Sequence, residues 1–434
     1  MTKQFLGYAL PSALAMFVSS LYTIIDGIFV GQGVGDNALA AVTIVMPLTI
    51  MLFGIATMFA VGGGALVSKN FGAGNDEEGV NVFRQVFKFL LIISITISLT
   101  LAIFSTPIVG LLGATEVIKP LASEYLRYYA IFCVPNLIGI SLNSFVRNDN
   151  RPKLAMVSTM SGAITNIVLD YIFIFPLNMG IKGAAIATGL GQIVTVSVVL
   201  PHFIKRKGKL SFGNVKLDLQ VIKDFANIGL PSFFAEGAFS VIVFVQNLAV
   251  VNILGEIGLS AFAIINYITT SIYMILLGLT FGAQPLISYN YGAKNVENII
   301  DVYKISNIVS VIINILFTSV CFIFGKEIIV IFTSDASIVE IAYNGLNITN
   351  IAFFIVGLNL TTTVYYQAVE DPKYSNLLCI LRSIGFLPIS VFVLSKIMDV
   401  NGVWISLFVS EILSLIVLRK IANVKVYTKS KIVA

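Results

Sequence analysis

The stretch SKNFGAGN at residues 68–75 returns 220 positions later as SYNYGAKN at residues 288–295. Ser68, Asn70, Gly72, Ala73 and Asn75 become Ser288, Asn290, Gly292, Ala293 and Asn295. Working outward at the same offset, Pro11-Ser12 becomes Pro231-Ser232, and Pro152-Lys153 becomes Pro372-Lys373. The matches are Gly, Pro and polar residues, which set backbone shape and turn chemistry rather than general apolarity. Two like halves imply a pseudo-twofold axis with a cleft between them, a plan that membrane proteins use for transport.

Composition places the chain in a membrane. Hydrophobic residues make up 57% and charged residues 11%, with a mean hydropathy of +0.94; soluble domains carry about 25% charged residues. Twelve apolar stretches are long enough to span hydrocarbon as helices. They lie near 5–30, 39–67, 86–111, 121–146, 154–177, 183–204, 224–250, 258–288, 305–332, 337–368, 374–396 and 401–419. These runs are too long and too continuously apolar for β-barrel strands. The expected fold is all-α and polytopic: two pseudo-symmetric bundles of six helices, as parallel repeats. The first span exceeds the core of a cleavable signal peptide and has no small-residue cleavage site after it.

Twenty-one Lys and Arg fall in segments on one side of this topology and four (Lys119, Lys182, Lys326, Lys396) on the other. The positive-inside rule then predicts a multi-pass protein of the cell (inner, cytoplasmic) membrane with both termini cytoplasmic. The net charge of +5 follows from that topology and gives no reason to expect nucleic-acid binding. Arg127 and Arg382 remain inside expected helices. The basic, Gly-punctuated stretch KRKGKLSFGNVKLDLQ at 205–220 reads as the join between repeats. The expected divisions are a first lobe at 1–204, a linker at 205–223, a second lobe at 224–419 and a basic tail at 420–434. His202 is expected at the interface, exposed beside Lys205 and Arg206. The G-A-x-N turns are expected to use the positive-φ tolerance of Gly and Asn. Cys133, Cys321 and Cys379 show no metal-like spacing and read as buried hydrophobes.

An ionisable side chain at the bilayer centre costs about 2.5–3.5 kcal/mol on insertion scales, so the intramembrane acids stand out. Asp26 lies in LYTIIDGIFVGQ and Asp170 in TNIVLDYIFIF. Asn166 precedes Asp170 by four residues and shares its helical face; Thr188 adds a hydroxyl in the sixth span. Two carboxylates, an amide and a hydroxyl offer hard oxygen ligands to a small cation, and paired carboxylates can equally hold a proton. Each acid could instead satisfy a local hydrogen bond. Glu236 lies in the seventh span, and Arg382 has Glu411 as a possible partner. The positions equivalent to Asp26 and Asp170 are Gln246 and Ser390, so the paired acids are not repeated. Asn143, Gln246, Asn247, Tyr267 and Gln284, with Glu236, are candidates to line a substrate cleft, while amides also join helices. No nucleotide-binding loop or metalloprotease motif occurs, so no catalytic residues or cofactor are expected, and transport would draw on an ion gradient.

The twelve spans in two halves, the first-span I-D-G-I-F-V-G, the repeated S-x-N-[FY]-G-A-x-N turn and N-R-P-K after the fourth span resemble the multidrug and toxic compound extrusion (MATE) transporters, most closely their bacterial branches. The resemblance covers nearly the whole chain. It implies a V-shaped pair of bundles, and a non-enzymatic antiporter that exports organic, often cationic and aromatic compounds in exchange for Na⁺ or H⁺ by alternating access; the expected partners are small molecules and membrane lipid, and the expected working unit is the monomer. The family's first-lobe cation site matches Asp26, Asn166, Asp170 and Thr188, and its cavity residues match Asn143 and Glu236. No second-lobe aspartate matches as a partner for Glu236. A flippase for a lipid-linked oligosaccharide or cell-wall precursor shares the architecture, but would be expected to carry extra spans or several cavity cations to meet phosphate.

Overall fold

Helices follow one another almost without interruption, as a chain in lipid requires, because a helix satisfies its backbone polar groups internally. A computed structural model of the chain describes residues 1–421. Most of the expected basic tail, including Lys425, Lys429 and Lys431, lies outside the described residues.

The first lobe contains α1 (Thr2–Gly33), α2 (Asp36–Gly72), α3 (Asp76–Ile103), the short α4 (Ser105–Leu111), α5 (Lys119–Ile131), α6 (Cys133–Asn148), α7 (Pro152–Ile174) and α8 (Ile181–Ile204). The second contains α9 (Leu219–Gly292), α10 (Val296–Val330), α11 (Ala336–Ala368), α12 (Pro372–Ile380), a π-turn (Leu381–Gly385) and α13 (Phe386–Ile421). Nine helices among the described residues are long and apolar enough to cross a membrane. The α5–α6 pair, bent by 53°, supplies a tenth. Breaks at Gly255 and Asp399, with φ of 63° and 50°, divide α9 and the α12–α13 run into two spans each. The total is the twelve that the sequence leads one to expect. The expected fourth span, 121–146, is therefore two bent helices. Pro135 has no N–H to bond the carbonyl of Ile131, the last residue of α5, so the ladder fails at the bend.

The repeat is visible in the backbone. Left-handed residues recur at Gly35 and Gly255, Gly74 and Lys294, and Asn150 and Glu370. Pro152 and Pro372 both open a helix, where a missing N–H costs nothing. Gly72 and Gly292, however, are helical; the positive φ falls two residues later. The glycines of the repeated motif serve the lobe interface instead. A Cβ on Gly72 would lie 1.9 Å from the carbonyl oxygen of Tyr289, and one on Gly292 would lie 1.9 Å from that of Lys69. Lys69 and Tyr289 are themselves equivalent positions, so each lobe seats the other's backbone on its own glycine. Gly62 does the same against Phe225 and Gly229, and Gly282 against Tyr8 and Ala9.

The hydrophobic cores cross over in the same way. Phe225 of the second half is buried in the first-lobe core with Phe83, Phe145 and Leu142, while Phe5 of the first half is buried with Leu279, Ile287 and Tyr303 of the second. Both are 0% exposed, and close van der Waals packing of each ring against the other lobe holds the contact. All these contacts lie at the end of the bundle that carries the basic loops. The Lys69–Glu370 ion pair at 2.6 Å and Arg147 over the Phe281 ring at 5.3 Å join the lobes there too. Toward the opposite end of the same first spans, Gly27 and Gly237 have no atom within 4 Å of an added Cβ.

His202 is not exposed as expected. It is 2% exposed, and its Nε2 lies 2.7 Å from Asp149 Oδ2. Asp149 also accepts the backbone N–H groups of Lys209 and Leu210 at 2.9 and 3.2 Å. An aspartate 53 residues away thus provides the polar partner that a buried imidazole needs. From there the non-helical chain follows α3: Arg84 Nε donates to the Ser211 carbonyl at 3.0 Å, Lys88 Nζ to that of Val215 at 2.8 Å, and the Asp218 N–H to Gln85 Oε1 at 2.8 Å.

Candidate functional site

Asp26 stands near the end of α1 and Asp170 near the end of α7, and both helices start at the basic loops and run the same way, so both acids lie at the end of the first lobe away from those loops. The two carboxyl groups lie close enough to interact electrostatically. Asn166 sits one turn before Asp170 and its Nδ2 donates to Thr188 Oγ1 of α8 at 3.3 Å. Sequence spacing placed these four on three helices; the fold gathers them into one cluster.

The oxygens of the cluster carry its chemistry. Asp26 Oδ1, both carboxylate oxygens of Asp170 and Asn166 Oδ1 are buried and receive no hydrogen bond among the described residues. Asp170 itself is 0% exposed. Buried acceptors in native proteins nearly always have a donor, and two neighbouring carboxylates repel each other unless positive charge lies between them. Hard oxygens of this kind suit an alkali cation or a shared proton, and not a soft metal.

Two tyrosines that sequence reasoning did not single out lie near the acids, with a third beside them. Tyr22, one turn before Asp26, and Tyr125 of α5 both lie close enough to interact electrostatically with Asp26 and Asp170. Tyr129, one turn beyond Tyr125, accepts a hydrogen bond from Asn136 Nδ2 at 2.6 Å. The only signal was spacing, since Tyr22 and Asp26 share a helical face, as do Tyr125 and Tyr129.

The candidate substrate residues occupy several settings. Glu236 is 8% exposed and lies on the lobe interface: a Cβ on Gly54 of α2 would meet Phe233 at 3.2 Å and Glu236 at 3.5 Å. Among the described residues it forms no ion pair. Asn143 is buried within the first lobe, where its Nδ2 donates to the Ala155 carbonyl at 2.8 Å and to Thr159 at 3.0 Å, tying α6 to α7; Arg147 donates to its Oδ1. Gln246 is buried and donates to the Val403 carbonyl of α13 at 3.2 Å. The position equivalent to Asp26 is thus a satisfied helix-to-helix link. Gln284 is buried and donates to Ser288 at 3.2 Å. Asn247 is half-buried, and Tyr267 is exposed and stacked on Phe332.

The two arginines expected inside helices differ. Arg382, in the π-turn, is buried against Glu411, with Nη2 at 2.6 Å and Nε at 2.9 Å from Oε1; Asn359 Nδ2 donates to Oε2. Arg127 is exposed and lines a surface cavity of about 680 Å³ with Glu116, Lys119 and Glu124.

A family model described as MatE matches residues 11–172 and 231–392. From 11 to 231 and from 172 to 392 the displacement is 220 residues, that of the internal repeat. The chain is 25% identical over 417 residues to the multidrug export protein MepA of Staphylococcus aureus (strain NCTC 8325 / PS 47), covering 94% of this chain and 90% of that protein. It is 24% identical over 415 residues to the MepA of Staphylococcus saprophyticus, with the same coverage. Among solved structures, an outward-facing multidrug resistance MATE family transporter of the MOP superfamily superimposes with a TM-score of 0.93 at 24% identity, covering 99% of this chain and 97% of that one. A MOP superfamily transporter from Pyrococcus furiosus gives 0.92 at 24% identity with the same coverage. These likenesses establish the two-lobed fold.

Proposed function

The chain belongs to the MatE family of membrane transporters, and from that premise we propose that it is an antiporter exporting organic, often cationic and aromatic compounds in exchange for Na⁺ or H⁺. The observation that carries the coupling is the set of four buried, donor-less oxygens on Asp26, Asp170 and Asn166. Asp26, Asn166, Asp170 and Thr188 hold the driving ion as cargo. Its positive charge relieves the repulsion between the carboxylates and draws α1, α7 and α8 together. Na⁺ would take all four residues as oxygen ligands; H⁺ would be shared by the carboxylates alone.

The substrate site lies between the lobes. Glu236 provides negative charge there, beside Phe233 and under Gly54. A carboxylate with an aromatic neighbour suits a flat organic cation, which gains from both charge and ring. The relatives named as multidrug exporters support that substrate class. With the lobes joined at the basic end, the interface serves the opposite face of the membrane, and the basic end is assigned to the cytoplasm. Coupling then requires only that ion and substrate stabilise opposite states. Arg382 is neutralised by Glu411 and Arg127 faces a surface cavity, so neither supplies the cavity cation that a phosphate-carrying flippase substrate would need.

The test is efflux of a fluorescent organic cation from proteoliposomes, with Na⁺ and pH gradients imposed separately. Asp26→Asn and Asp170→Asn are expected to abolish gradient-driven efflux while the protein remains folded. Full activity in both variants would overturn the mechanism, and the gradient that drives the native chain identifies the ion.

A further inference from the structure

Several cations at the basic end have a partner within the chain. Lys69 pairs with Glu370 and Lys209 with Asp76, while Arg84 and Lys88 hold the Ser211 and Val215 carbonyls. Five others do not. Arg151 and Lys153 at the start of α7, and Lys205, Arg206 and Lys207 just past the end of α8, are exposed, and none forms an ion pair among the described residues.

The buried Asp149–His202 pair makes these two groups neighbours. Asp149 lies two residues before Arg151, and His202 three residues before Lys205, with 2.7 Å between their side chains. The loop then closes over the aspartate: the Lys207 N–H bonds the His202 carbonyl at 2.9 Å, and the Lys209 and Leu210 N–H groups bond the carboxylate. The one acid in the turn is thereby buried and hydrogen-bonded within the chain, and the cations around it are exposed without an ion-pair partner among the described residues. Below them lies a wall of apolar side chains open to lipid. Val157 and Ile164 are exposed on α7 two turns apart, and Ile193 and Ile204 are exposed on α8 three turns apart.

We propose that the adjoining basic ends of α7 and α8 form a binding site for an anionic phospholipid, with the headgroup phosphate held by Arg151, Lys153, Lys205, Arg206 and Lys207 and the acyl chains lying along the exposed faces of both helices. Complementarity is of two kinds, charge at the membrane surface and apolarity beneath it, and a soluble anion satisfies only the first. Unpaired cations next to a transmembrane helix are known to attract anionic headgroups, each one strengthening binding about fivefold near the surface. The headgroup would clamp α7 to α8, the helices that carry Asn166, Asp170 and Thr188.

Native mass spectrometry of the delipidated full-length protein tests this, titrating phosphatidylglycerol against phosphatidylcholine of the same acyl composition. The native chain should retain phosphatidylglycerol selectively. The Lys205→Gln/Arg206→Gln/Lys207→Gln variant should lose affinity for it by about tenfold to a hundredfold at low salt. The Arg419→Gln/Lys420→Gln variant, which removes exposed cations from the second lobe, should lose much less. All these side chains are exposed, so the variants should match the native chain in thermal unfolding without lipid. Equal retention of the two lipids, or equal losses in the two variants, would overturn the proposal. Full displacement of phosphatidylglycerol by millimolar glycerol 3-phosphate would overturn it too, by showing that the site binds a free phosphate.

Discussion

Gly72→Ala puts one methyl group where the lobes meet most closely. The added Cβ would sit 1.9 Å from the Tyr289 carbonyl oxygen and 3.0 Å from the Ala293 nitrogen, all backbone atoms that cannot rotate away. Restoring ordinary contact at 3.4 Å needs a displacement of about 1.5 Å between α2 and the end of α9. Overpacking of this kind costs about 1–3 kcal/mol. The cost falls only on the state in which the lobes touch at the basic end, whereas the gain in helix propensity from Gly to Ala is common to both states. The balance should therefore move toward lobes parted at that end by roughly 5-fold to 150-fold, at 1.4 kcal/mol per factor of ten. Spin labels at Ala73→Cys and Ala293→Cys, both exposed and next to the two motif glycines, would report the separation by pulsed electron resonance. Gly292→Ala should act alike, since its Cβ meets the Lys69 carbonyl at the same 1.9 Å. Gly7→Ala, which has no atom within 4 Å, is the control. A distance distribution in Gly72→Ala and Gly292→Ala that matches Gly7→Ala would refute the reasoning.

Arg382→Gln leaves Glu411 buried with Asn359 as its remaining side-chain partner. Stranding one member of a buried pair costs about 3–5 kcal/mol, so the unfolding midpoint in detergent should fall clearly; an unchanged midpoint would show that the pair is dispensable. At the start of α11, hydrogen bonds from the Ser337 hydroxyl and N–H hold the Asp335 carboxyl below its ordinary 3.8. Its cap is complete above that value and is lost as pH falls through the lower folded value. Exchange of the Ser337 amide hydrogen, corrected for intrinsic rate, should accelerate on acidification through this range in the native chain and not in Asp335→Asn.

How much of this was legible depended on whether a residue's role was local. The repeat and the span number could be read directly, and Asp26 and Asp170 stood out as candidates because an acid in an apolar run is costly wherever the chain goes. Asn166 and Asp170 were placed together by helical spacing alone. Gly72 was misjudged because its sequence neighbourhood is that of a turn, while its function depends on a carbonyl 217 residues away, at Tyr289. His202 was misplaced for the same reason, as nothing near it in sequence discloses Asp149. Tyr22 and Tyr125 drew no attention because an aromatic residue in an apolar helix costs nothing. The bend at Phe132 could have been found, since Pro135 advertises a missing donor one turn later.

The crossed insertion of Phe5 and Phe225, with the paired seats at Gly72 and Gly292, has a bearing on descent. Each half presents the same patch to the other, which is the isologous contact of a twofold homodimer written within one polypeptide. Two copies of a single six-helix ancestor could have closed on each other through this surface before any linker joined them. Fusion then freed the copies to diverge, and the acids could be kept in one half while the other replaced them with Gln246 and Ser390.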